Sequence, residues 1–222
     1  MRRADVLMAA GVGGFVGPMV FAGLVIILGA LYPGYSHVSQ TVSVLGAADA
    51  PHKAIMNALG FPLLGLCVIA LGAGVEVCFK RKGVGRTGPA LLAVCGTALV
   101  MIAIFNADPG DIDVSWRGMT HTAFSVVSEV SFAIAPVFIA MGLFRDVKWK
   151  AYSAYSYATA IITLLFALVS VLGIVDTRVG LFQRMSMGIP MLWMMVTSVK
   201  LLSESRSYRS VSAGPINAEQ PS

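Results

Sequence analysis

The chain has 222 residues, of which 57% are hydrophobic and only 12% charged, against roughly 25% charged in a typical soluble domain. With a mean hydropathy of +0.80, this composition excludes a soluble globular domain. The net charge of +5 gives no support to nucleic-acid binding, because the Lys and Arg residues lie in short segments between apolar runs, where they bear on membrane orientation.

A bilayer crossing takes about 20 apolar residues, and six runs are long enough: 6–31, 54–79, 89–107, 119–144, 154–175 and 184–203. The expected fold class is therefore all-α, a polytopic integral membrane protein built as a six-transmembrane-helix bundle over residues 1–203. Residues 204–222 are polar and read as a disordered tail. Arg2 and Arg3 precede the first run, and Leu28-Gly-Ala30 faintly resembles a signal cleavage site. A signal h-region spans only about 7 to 15 residues, so this run reads as a mature helix.

With the N-terminus inside, twelve of the sixteen basic residues fall on the cytoplasmic side: Arg2, Arg3, Lys80, Arg81, Lys82, Arg86, Arg145, Lys148, Lys150, Lys200, Arg206 and Arg209. The positive-inside bias thus predicts both termini in the cytoplasm, with the inner or plasma membrane as the natural location.

Within the first run, Gly13 and Gly17 form a Gly-x-x-x-Gly pair that permits close helix approach. Pro18, Pro62, Pro136 and Pro190 place a proline in four of the runs, each removing a backbone hydrogen bond. The segment from Tyr32 to Lys53 is dense in hydroxyls. Val38, Val42 and Leu45 recur there at helical spacing, which allows a short interfacial helix, although a solvated loop is favoured. The cysteines Cys67, Cys78 and Cys95 lack the paired spacing of a zinc site and read as packing residues. Glu76 lies close enough to Lys80 to reach the interface. Tyr152, Tyr155 and Tyr157 suit an aromatic belt, and the methionines around Trp193 suit core packing. Six helices would give two halves of opposite topology, but no internal repeat is assigned.

The informative stretch runs from Phe105 to Glu129. It crosses an acidic turn with Asp108, Asp111 and Asp113, passes Trp116 and Arg117, and enters the fourth run through His121, Ser125, Ser128 and Glu129. Spacings of four, seven and eight residues put those four side chains on one helix face, which would turn toward the bundle interior. At about 1.5 Å per residue, Glu129 lies near mid-bilayer and His121 near the outer mouth. An acid at that depth invites a functional explanation. Arg117 and Arg184, the latter beside Gln183, are candidate partners for an anion.

His37, His121 and Asp108 form a candidate ligand set for a divalent metal, since three such ligands with one open position characterise catalytic zinc; no His-x-x-x-His or Cys-x-x-Cys cluster reinforces it. The Asp-x-x-Asp-x-Asp spacing reads as a solvated turn rather than a calcium loop. A nucleophilic serine such as Ser125, Ser36 or Ser39 would need a histidine base, and no Gly-x-Ser-x-Gly elbow accompanies them.

Taken together, the hydroxyl-rich first loop ending in Leu45-Gly46, the Asn106-Ala-Asp108 helix end, the Arg117-Gly-x-x-His121 motif and the Gln183-Arg184 start of the last run resemble the bacterial and archaeal membrane family catalogued as domain of unknown function 998, over roughly residues 6–203. That resemblance implies a six-helix fold and no established reaction.

Three functions are expected from these residues. An enzyme binding or hydrolysing a lipid or lipid-linked substrate at the outer leaflet would use His121 and Glu129 as acid or base and His37 and Asp108 as further polar or metal-binding groups. Its substrate-binding groups would be Ser125, Ser39, Gln183, Arg117 and Arg184. A small proton-linked transporter would work through Glu129. A non-catalytic binding or assembly protein would use the stripe to tie helices together.

Overall fold

A computed structural model describes residues 3–80, 83–111, 114–172 and 176–212, and all regular structure among them is helical. Arg2, Arg81, Lys82, Asp113 and the tail from residue 213 lie outside the described residues. The six long helices are α1 (Arg3–Ala30), α2 (Lys53–Phe79), α3 (Thr87–Ile104), α4 (Trp116–Leu143), α5 (Lys150–Val171) and α6 (Val179–Ser212). Each contains a stretch long and apolar enough to cross a membrane. The last helix begins five residues before its expected start and continues past 203 to Ser212, so part of the expected tail is helical.

Neighbours in sequence are neighbours in space. Each helix packs on the next, and α6 returns to α1, closing a six-membered ring; α2 and α4 also touch α6 across the interior. Small residues set the closest approaches. Gly13 and Gly17 both face Cys67 of α2, where a Cβ at Gly17 would come within 2.8 Å of the Cys67 Cβ. Gly11 and Gly14, on the other flank of α1, face Leu202 and Ser198 of α6.

Polarity is distributed inside out. Phe15, Met19, Leu66, Leu165 and Leu192 are exposed, whereas Ser153, Ser156, Thr163, Thr197 and Ser198 are fully buried. This is the arrangement of a multi-pass membrane protein, in which polar side chains serve between helices. The main polar seam joins α5 to α6. Tyr152 Oη and Thr197 Oγ1 share a hydrogen bond of 2.6 Å, and Trp193 Nε1 donates to Ser156 Oγ at 2.8 Å. Tyr152 is therefore a buried anchor of this seam and not part of an interfacial belt. Trp193 and Met194 are fully buried, in line with core packing of the methionine-rich helix, although Met185 is exposed. Glu76 is partly exposed and forms an ion pair with Arg86 at 3.1 Å.

The segment after α1 departs most from expectation. It is neither a solvated loop nor an amphipathic surface helix: Val42, Val44, Leu45 and Ala47 are buried, and a single 3₁₀ turn spans Ser43–Gly46. Burying a loop requires partners for its backbone, and α6 supplies them. Gln183 Oε1 accepts from Val42 N–H at 2.7 Å, Val38 C=O accepts from Leu181 N–H at 2.9 Å, and Arg184 donates to Gln40 C=O at 2.8 Å. On the opposite side, Asn57 Nδ2 donates to Gly46 C=O at 2.8 Å from a π-helical turn, Met56–Gly60, that ends two residues before Pro62.

Candidate functional site

The tucked segment roofs a cavity of about 60 Å³ inside the ring. Its polar wall consists of Ser43, Ser125, Ser128, Glu129, Gln183 and Ser186, and its apolar wall includes Leu64, Leu99, Phe132 and Met191. Three of the four residues in the α4 stripe thus line the cavity.

His121, only 2% exposed, does not line the cavity but contacts Ser43, which does. Its Nδ1 lies 2.8 Å from Phe105 C=O and its Nε2 lies 3.1 Å from Ser43 Oγ. A carbonyl can only accept, so Nδ1 carries a proton; in the neutral ring Nε2 is then the acceptor for the Ser43 hydroxyl. The arrangement places a serine against an imidazole base whose other nitrogen is fixed by a third group, which is the constellation of an activated nucleophile. Phe105 can present its carbonyl because α3 stops at Ile104 and the next residue turns extended, with φ −101° and ψ 95°. Ser43 escapes sequence inspection: it is one of several hydroxyls in its loop, lacks an elbow motif, and lies 78 residues from His121.

Glu129 lines the same cavity and has neither a hydrogen bond nor an ion pair among the described residues. Ser125 and Ser128 are less available as donors, because Ser125 Oγ donates to His121 C=O and Ser128 Oγ to Ser125 C=O, each inside one helical turn. Gln183 directs its Oε1 at Val42 N–H, while its amide NH₂ has no hydrogen-bond partner among the described residues.

The other expected site residues are placed elsewhere. Asp108 supports the start of α4: it accepts from Ser115 N–H at 2.6 Å, Ser115 Oγ–H at 2.7 Å and Val114 N–H at 3.0 Å, while Ser115 caps the helix by accepting from Gly118 N–H. These donors, Ser115 foremost, hold its carboxyl below the ordinary aspartate range. Arg117 is exposed and lies over the Trp116 ring. Ser39 is exposed as well, and Ser36 Oγ accepts from the Val38 and Ser39 backbone.

His37 and Arg184 meet on the far side of the tucked segment. They head a second, open cavity of about 420 Å³ between α1 and α6. Burial and, secondarily, the Arg184 charge push the His37 pKa down. His37, His121 and Asp108 are consequently held by different partners, and no group of three or more His, Cys, Asp or Glu residues is assembled for a metal among the described residues.

No curated protein and no solved structure matches the chain. The family model described as "protein of unknown function (DUF998)" matches residues 15–200, so by its six-helix pattern and by this match over most of its length the chain belongs to the DUF998 family.

Proposed function

We propose that this protein is a membrane-embedded hydrolase that cleaves an ester in a lipid or lipid-linked substrate, with Ser43 as nucleophile and His121 as general base. The observation that carries this reading is the Ser43–His121–Phe105 carbonyl relay at the edge of an internal cavity. Ser43 Oγ attacks the ester carbonyl carbon as its proton passes to His121 Nε2; the C–O bond then breaks, and the leaving alcohol takes that proton. Water adds to the acyl-serine by the same route, His121 accepting its proton and returning it to Ser43. The amide NH₂ of Gln183, which lines the same cavity and has no hydrogen-bond partner among the described residues, is the donor we assign to the carbonyl oxygen as it becomes negative. The excess of basic residues near the termini supports a cytoplasmic position for them, and therefore an active face toward the outer leaflet of the inner or plasma membrane.

The test supplies an ester lipid to the outer leaflet of right-side-out vesicles and measures fatty-acid release. Ser43→Ala removes the nucleophile and should lower the rate by roughly 10⁶-fold, with the helical fold retained by circular dichroism. A fluorophosphonate probe should label Ser43 in the wild type and fail in His121→Ala. Full hydrolysis by Ser43→Ala sinks the assignment.

A second reading is favoured by one observation, the partnerless carboxylate of Glu129 in the cavity wall. Intramembrane acids of this kind serve as proton-linked groups in transporters. In that case pH-driven solute uptake into proteoliposomes is lost in Glu129→Gln and retained in Ser43→Ala; equal uptake by wild type and Glu129→Gln eliminates it.

A further inference from the structure

The internal cavity is far below the roughly 300 to 1,000 Å³ of ordinary ligand sites, so it accommodates a reacting group and not a whole lipid. The larger cavity between α1 and α6 has the missing room. The two helices pack tightly where Gly11 and Gly14 meet Ser198 and Leu202, but diverge beyond Pro18, where a Cβ at Gly188 would meet nothing within 4 Å. The walls are Phe21, Ala22, Val25 and Ile26 of α1 with Met187 and Gly188 of α6, and the polar residues His37 and Arg184 stand at one end.

Arg184 is the decisive group. Its Nη1 donates to Gln40 C=O and Gly180 C=O, both at 2.8 Å, and its Nη2 donates to Tyr35 Oη. Its Nε is buried without a partner, and no carboxylate lies within ion-pair distance among the described residues. Three of the five guanidinium N–H groups are used, all on neutral acceptors, and the guanidinium lies over the Tyr35 ring at 5.7 Å, so no anion among the described residues balances this charge at the head of an apolar groove. A guanidinium whose charge meets no anion and whose second Nη2 N–H is unused is suited to a phosphate, and an apolar groove open along the bundle side is suited to an acyl chain.

We infer that the α1–α6 groove binds one membrane phospholipid, with its phosphate at Arg184 and an acyl chain between Phe21 and Met187. Val42, Met187 and Met191 line both this groove and the internal cavity. These shared side chains put the groove next to the cavity that Ser43 lines, so the groove is the lateral route by which a glycerophospholipid ester reaches the nucleophile. This last assignment rests on the hydrolase reading; the binding site itself does not.

Native mass spectrometry of the full chain in mild detergent, titrated with phosphatidylglycerol or with diacylglycerol of the same chains, separates the two. The wild type should retain one phosphatidylglycerol and bind the diacylglycerol roughly tenfold or more weakly, as expected for loss of a charge-assisted contact. Arg184→Gln should lose the same factor. Because Arg184 also holds the tucked segment, Gly188→Leu supplies the second variant: it enters open space, leaves the melting temperature unchanged, and fills the groove. Ser43→Ala should bind phosphatidylglycerol like the wild type, so a failed hydrolysis assay leaves the binding result standing. Wild-type affinity in Gly188→Leu overturns the site, as does equal affinity for diacylglycerol. A wild-type dimer dispersed by Gly188→Leu overturns it too, since the groove would then be a self-association surface.

Discussion

The α5–α6 seam and the cavity beneath Ser43 are both polar regions in an apolar bundle, and they differ in how that polarity is closed. In the seam, Tyr152 meets Thr197 and Trp193 meets Ser156, while Thr197 and Ser156 donate in turn to the Trp193 and Tyr152 carbonyls. Nearly every donor there has an acceptor within the two helices; the buried Thr163 hydroxyl is the exception. Around the cavity, Glu129 and the Gln183 amide NH₂ have no partner among the described residues. Burial of polar side chains is common to both regions. What separates fastening from a candidate site is the polar group left open beside a void.

This contrast is broken or sharpened by substitution. The largest effect belongs to the seam: Trp193→Ala, which empties a fully buried position, should destabilise by about 3 to 5 kcal/mol, read as a lower melting temperature in detergent. A loss near zero would show that the seam is not a fastening. Glu129→Leu should act in the opposite direction, raising stability by roughly 1 kcal/mol, because replacing an uncompensated acid by a well-packed apolar side chain removes a desolvation cost. Destabilisation would mean that the carboxyl is satisfied and the contrast false.

The smallest effect concerns pH. The folded-state pKa of Asp108 is depressed by hydrogen bonds from Ser115 and Val114, so its stabilising contribution is present above the unfolded value, about 3.9, and is lost as pH falls below that toward the folded value. Hydrogen exchange across residues 114–121 should therefore accelerate in acid relative to its intrinsic rate, and Asp108→Asn should flatten the dependence. An unchanged profile in Asp108→Asn would remove Asp108 from the support of α4.

The helices were legible because hydrophobicity over 20 residues is a property of the local chain. The α4 stripe was legible for the same reason, since helical periodicity fixes which side chains share a face. What held Ser43 against His121 is not local. The turn at Phe105 ends α3 early and frees one carbonyl, and the first loop is held inside in part by Gln183 and Arg184, more than 140 residues away, which pair with its backbone. The same distance explains the metal set. Three ligand-type residues in three segments look equivalent in a sequence, yet each is claimed by a different neighbour once the chain folds.

The π turn at Met56–Gly60 has a bearing on how these two ends of α2 relate. It carries one residue beyond what an α-helical ladder would hold, and one residue corresponds to about 100° of rotation about the helix axis. The surplus acts as a swivel in the register. Downstream of it, the face that meets α1 and α3 is dictated by packing through the bundle; within it, Asn57 is free to point at Gly46 and Asn106. Deleting a single residue here would leave the lower helix seated while swinging the Asn57 peg away from the roof it holds.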